Sequence, residues 1–158
     1  MAAGQIVFVG ILTVILTVFA VFLGTHFHEI SHYIVARIWT NDVSIRYIYL
    51  IFPVSVEVPG IDEVPTWGIR TLGVAPQLFL FPVIGYLYLR FELPFTLLSF
   101  GFVPASVYSA LLGGGLVTSP GDWIAVLFPD EFRKMADTDE SFSHLENLRF
   151  LFDHIFSK

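Results

Sequence analysis

The 158-residue chain has 55% hydrophobic and 14% charged residues, a balance well outside that of a soluble globular domain, and it reads as an integral membrane protein. Fourteen acids against eight Lys and Arg give a net charge of −6, which argues against nucleic-acid binding and also suits a high-salt cytoplasm. There is no cysteine, so disulfides, thiolate ligands and a cysteine nucleophile are excluded, and a metal site must use His and carboxylate.

The first element is an uncharged apolar run from Ile6 to Gly24, long enough to cross a hydrocarbon core of about 30 Å. No charged segment precedes it and no convincing small-residue cleavage site follows, so it is expected to be retained rather than removed as a signal peptide. With no proline to interrupt it, the helix is expected from near Gln5 to about Trp39, where Asn41-Asp42 ends it. Such a helix exceeds one bilayer thickness and must tilt, bend or project its Arg37 end into the interface.

Directly after the apolar run comes His28-Glu29-Ile30-Ser31-His32, an H-E-x-x-H motif. Helical residues four apart differ by about 40° of rotation, so the imidazoles of His28 and His32 face the same way and can share one Zn²⁺. Glu29 lies about 100° round from His28 and can reach a zinc-activated water instead, as the general base that takes its proton for attack on a peptide carbonyl. His26 is about 160° away and cannot join the pair. The bland alternative is a helix end whose histidines hydrogen-bond among headgroups, but paired His and an acid within an apolar helix are costly in lipid and point to function.

From Val43 to Val58 the pattern becomes β-branched and aromatic, with Ser44 and Arg46 alternating against Val43, Ile45 and Tyr47, then Ser55 and Glu57 against Val54, Val56 and Val58. Two short strands around Pro53 are expected, either covering the site or offering an edge to which an extended substrate adds. Pro59-Gly60 and Asp62-Glu63 make the next loop, and Trp67 is placed at the headgroup level.

A second apolar segment runs from Thr71 to Leu89 between Arg70 and Arg90, and a third from Leu93 to about Leu112, ending in Gly113-Gly114-Gly115. Prolines 76, 82 and 104 are tolerated there if neighbours or waters take the freed carbonyls. The glycine run suits either a hinge or close helix packing. In Ser119-Pro120-Gly121-Asp122-Trp123, Asp122 is the only acid between Glu92 and Asp130 and is flanked by apolar sequence, Ile124 to Phe128 following. Zn²⁺ held by two His needs a third protein ligand, which Asp122 would supply while leaving a fourth position for water. Its place beside Pro120 also suits a helix cap.

Beyond Asp130 the chain turns polar, with Phe142, Leu145, Leu148, Leu151 or Phe152, and Ile155 or Phe156 at helical spacing and Ser143 and Glu146 at capping-box spacing, which predicts an amphipathic helix lying on the membrane or on the core. His144 and His154 in this tail read as surface histidines.

The chain resembles the site-2 protease family of intramembrane zinc metallopeptidases, the M50 group and its relatives. His28, Glu29 and His32 match that family's H-E-x-x-H in full, and Ser119-Pro120-Gly121-Asp122-Trp123 stands where its N-P-x-P…L-D-G type motif belongs. Gly73-Val74-Ala75-Pro76-Gln77 loosely resembles the proline-containing start of the family's intermediate helix, so most of Gly24 to Phe128 is covered. Ser in place of Asn before Pro120 and Trp in place of Gly after Asp122 are departures, as is the lack of a PDZ domain.

The expected fold is a mainly α membrane protein with three to four transmembrane or half-spanning helices and a small β-hairpin between the first and second. Residues 1–129 form the membrane-embedded zinc metallopeptidase core and 130–158 the amphipathic tail. One Zn²⁺ per chain is held by His28, His32 and Asp122, with Glu29 catalytic, in an endopeptidase that cleaves in or near the transmembrane segments of other membrane proteins. The bilayer is the other partner, and the place a multi-pass protein of the cell membrane. Arg37, Arg46 and Arg70 and the tail's Arg133, Lys134, Arg149 and Lys158 place both of those regions on the cytoplasmic side. The alternative is a non-catalytic relative that binds membrane partners. A metal transporter or haem protein fits worse, because polar residues are not spread over several helices and no histidines oppose one another.

Overall fold

The computed structural model describes residues 3–49, 51–91, 102–137 and 144–156. The chain is mostly helical, with one small antiparallel sheet of two strands. Its elements in order are α1 (Ala3–Ala36), β1 (Ser44–Ile48), β2 (Phe52–Glu57), a 3-10 turn (Ile61–Glu63), α2 (Thr66–Gly73), α3 (Ala75–Phe91), α4 (Phe102–Leu116), α5 (Pro120–Leu127), α6 (Pro129–Asp137) and α7 (His144–Phe156). Two compact units emerge, one of Met1–Glu29, Tyr47–Val54 and Pro76–Val117, the other of Ile30–Arg46, Ser55–Ala75 and Thr118–Lys158.

Helix α1 is uncharged up to Glu29, and a stretch of it, Gly4–Ala36, is long and apolar enough to cross a membrane. Large apolar side chains such as Ile6, Phe8, Ile11, Val14 and Val18 are exposed along it, as expected for a helix whose solvent is lipid. The covered residues, Thr13, Ala20, Gly24, His28, Ser31, His32, Val35 and Ala36, fall at the three-, four- and seven-residue offsets of one helical face. The first of them are small, which lets another backbone come close. The last turn of the expected helix, Arg37 to Trp39, tightens into a hydrogen-bonded turn, with Ile38 N–H donating to Val35 O and Trp39 N–H to Ala36 O.

In the first unit, the approach to α1 is made by α4. A Cβ built on Gly24 would lie 2.6 Å from Leu111 O and 2.9 Å from Gly115 N, and one on Gly114 would lie 2.9 Å from Val21 O. Gly114 and Gly115 of the glycine run are therefore a packing surface, while a Cβ on Gly113 would meet nothing within 4 Å. Gly24→Ala gains helix propensity of about 1 kcal/mol but forces two backbones apart, an overpacking cost of about 1–3 kcal/mol. The expected outcome is a lower melting temperature of the detergent-solubilised protein, and a raised one would refute this account of the contact.

The hairpin turns earlier than the sequence suggests. Pro53 lies inside β2 instead of between the strands, and the reversal is closed by Ile51 N–H donating to Ile48 O at 3.3 Å. Proline is compatible with this position because both strands of a two-stranded sheet are edges. Tyr49 follows at a positive φ of 53°, uncommon for a residue other than glycine, and is 86% exposed. Phe22 meets Phe52 edge-on at 5.6 Å, and the His26 ring lies 6.2 Å from that of Tyr47.

The second unit has an apolar core of Val35, Ala36, Val43, Ile61, Val64, Ile69, Leu72, Ala75 and Ala125, against which Tyr33, Trp39 and Phe132 pack. Arg133 of α6 pins the loop before α2 by donating to Val64 O at 2.6 Å. Gly73 admits α5 to α2, since a Cβ there would sit 2.6 Å from Asp122 O. Helix α7 buries Leu151, and its Phe150 and His154 rings stack at 3.9 Å beside Phe128.

The second apolar segment is not one helix. It divides at Val74 into α2 and α3, because Pro76 has no N–H with which to continue the ladder. The pairs Thr66–Gly73 with Ala75–Arg90 and Ala105–Leu116 with Pro120–Leu127 are long and apolar enough to cross a membrane only when each broken pair counts as one span. The expected third-segment start at Leu93, the residues Phe142 and Ser143 of the tail pattern, the side chains of Pro104, His144 and Leu145, and Lys158 lie outside the described residues.

Candidate metal centre

His28 and His32 are both buried, at 6% and 9% exposure, one turn apart on α1. An apolar helix tolerates two such rings only where their ring nitrogens find partners. His28 Nδ1 lies 3.2 Å from Gly115 O and His32 Nδ1 lies 2.7 Å from Leu72 O. A carbonyl only accepts, so in each ring Nδ1 carries a proton and donates, and in the neutral ring Nε2 is the nitrogen that could ligate a metal. Both acceptors sit at helix C-termini, Gly115 in the last turn of α4 and Leu72 in that of α2. The partial negative charge of these ends favours a cation nearby.

Asp122 completes the group. The ligating atoms of His28, His32 and Asp122 all lie within 4.8 Å of one another, the set among the described residues that could hold a metal ion. His32 Nε2 is 3.3 Å from Asp122 Oδ1. With the Nδ1 proton committed to Leu72, this pair sets one acceptor against another, an arrangement that calls for a cation or a proton between them. Two ligand bonds of about 2.0–2.1 Å at a tetrahedral angle place their donor atoms about 3.3 Å apart. The donor set therefore fits a zinc-type ion by its chemistry and by that spacing.

The candidate ligand and the helix cap are one residue with two oxygens. While Oδ1 faces His32, Oδ2 accepts the Ser119 N–H at 2.6 Å, and Ser119 Oγ accepts the Asp122 N–H at 3.2 Å. This is a capping box that starts α5 with Pro120 in its first turn. It holds the carboxylate in one rotamer, so a main-chain device orients a candidate ligand.

The other expected residues fall as follows. Glu29 follows His28 on α1 and is half-buried. His26 turns away, its Nδ1 donating to Phe22 O at 2.8 Å. His154 is exposed and donates to Phe150 O at 3.0 Å. Sequence reasoning missed Gln77, whose Nε2 donates to Leu116 O at 2.9 Å, beside the carbonyl that takes His28. It also missed Leu72 and Gly115, which act through backbone carbonyls. The signal for Leu72 was Pro76, four residues after it, and Pro120 marks Leu116, the carbonyl that Gln77 takes, in the same way, while Gly115 carried no such mark. No protein family, curated protein or solved structure matches the chain.

Proposed function

We propose that this protein is an intramembrane zinc metallopeptidase of the site-2-protease type, hydrolysing peptide bonds in or near transmembrane segments of other membrane proteins. The observation that carries the reading is the grouping of His28, His32 and Asp122, with His32 Nε2 3.3 Å from Asp122 Oδ1 and Glu29 next along the helix. His28 and His32 would hold zinc through Nε2 and Asp122 through Oδ1. The bound ion would supply a Lewis acid that acidifies water and polarises the scissile carbonyl. Glu29 would hold at its carboxylate the proton of the attacking water and pass it to the leaving amine. Gly115 and Leu72 hold the imidazoles in the required tautomer throughout.

Counted as spans, the two broken helix pairs join α1 to give a multi-pass protein with three crossings, placed in the cell membrane, the core of residues 1–129 lying in the bilayer and 130–158 beside it. A transmembrane substrate must unwind locally before its carbonyls are free to react, which is why a site at helix ends suits this chemistry. The test is the metal content of the detergent-purified chain. About one zinc per chain, removed by a chelator and restored by added Zn²⁺, is the expected result. A folded protein that takes up no zinc would remove the proposal.

A further inference from the structure

In an unbroken helix each N–H donates to the carbonyl four residues back. At the break between α2 and α3, Pro76 has no N–H to offer Leu72 O, and that carbonyl accepts from His32 instead, at 2.7 Å. The Val74 N–H is shared between Arg70 O and Leu72 O, which leaves a lone pair of Leu72 for the imidazole. The break between α4 and α5 repeats the arrangement. Pro120 has no N–H for Leu116 O, which accepts from Gln77 at 2.9 Å. The Ser119 N–H, due to Gly115 O, is taken by Asp122 Oδ2 at 2.6 Å, and Gly115 O accepts from His28 at 3.2 Å.

We propose that Pro76 and Pro120 are positioning residues of the metal centre. Neither offers a ligand atom. Each withholds a backbone N–H: the carbonyl that Pro76 releases, Leu72 O, sets the tautomer and orientation of His32, and the one that Pro120 releases, Leu116 O, is left to Gln77 beside the Gly115 carbonyl that faces His28. The inference rests on the metal reading of the site and adds to it a role for residues far from the motif in sequence. Pro82, which lies within α3, is the internal comparison, because the carbonyl it frees is that of Leu78 and not one of the two that face His28 and His32.

The test is zinc affinity by chelator competition on the full-length chain in detergent, with the visible spectrum of the cobalt-substituted protein as a reporter of ligand geometry. Pro76→Ala restores an N–H that competes with His32 for Leu72 O. It should weaken zinc about 10–100-fold, the range for loss of an outer-sphere partner, and change the cobalt spectrum. A backbone ester, made by placing an α-hydroxy acid at position 76, has neither ring nor N–H and should keep wild-type affinity and spectrum. Pro120→Ala should weaken zinc as well, by drawing Leu116 back into the helix, while Pro82→Ala should leave both readouts unchanged. Wild-type affinity in Pro76→Ala would overturn the proposal. So would an ester variant as weak as the alanine one, or a Pro82→Ala variant that loses as much. A wild-type chain without zinc affinity marks failure of the metal reading itself, a result distinct from these.

Discussion

Asp122→Ala is expected to lose its zinc and to loosen the start of α5 in the same step. The carboxylate divides its work, Oδ1 facing His32 at 3.3 Å and Oδ2 holding the Ser119 N–H at 2.6 Å. Removing it deletes the one charged ligand, so zinc affinity should fall by more than the roughly 10–100-fold that loss of an outer partner costs. The broken capping box should also lower stability by about 0.5–2 kcal/mol. Two companions separate these effects. Asp122→Asn keeps an oxygen for Ser119 and should preserve much of the stability while losing most of the zinc. Ser119→Ala removes the hydroxyl from the box but spares the ligand, and should lower the melting temperature with zinc still bound. Metal analysis and thermal unfolding on the same three samples decide the matter. Full zinc in Asp122→Ala would show that the two histidines find their third partner elsewhere.

The second large effect belongs to Glu29. Glu29→Gln is nearly isosteric and changes no proposed zinc ligand, so the protein should keep its metal and its melting temperature. Loss of the general base should slow hydrolysis of a co-reconstituted transmembrane substrate by about 10²–10⁴-fold. Unchanged biological function in cells carrying this variant would support the non-catalytic reading, in which the fold serves only to bind membrane partners.

The parts of this site that the sequence discloses are those whose chemistry resides in side chains. His28, Glu29 and His32 are legible because helical rotation fixes which of them face together, and because lipid makes polar residues conspicuous. Asp122 is legible for the same reason, standing alone between Glu92 and Asp130. Leu72 and Gly115 are not, since their contribution is a backbone carbonyl that every residue possesses. Only for Leu72 does a proline four positions further on announce that the carbonyl stands outside a helical ladder. The same proline logic misled at the hairpin, where Pro53 suggested a break but sits in an edge strand that needs no N–H from it. The small residues ahead of the motif, Thr13, Ala20 and Gly24, carried a second signal, because their spacing matches that of the ligands and marks which face of α1 meets protein.

The hydrogen bonds of the two imidazoles span very different lengths of chain, 40 residues from His32 to Leu72 and 87 from His28 to Gly115. During synthesis α1 therefore emerges long before either acceptor, and its histidines must wait, solvated by water or by the insertion machinery. The bilayer resists them until α2 arrives for one and α4 for the other. Two rings that are costly in a lone helix thus become a reason for later helices to gather round it, and a metal held by all three proposed ligands would be loaded only after Asp122 has been made.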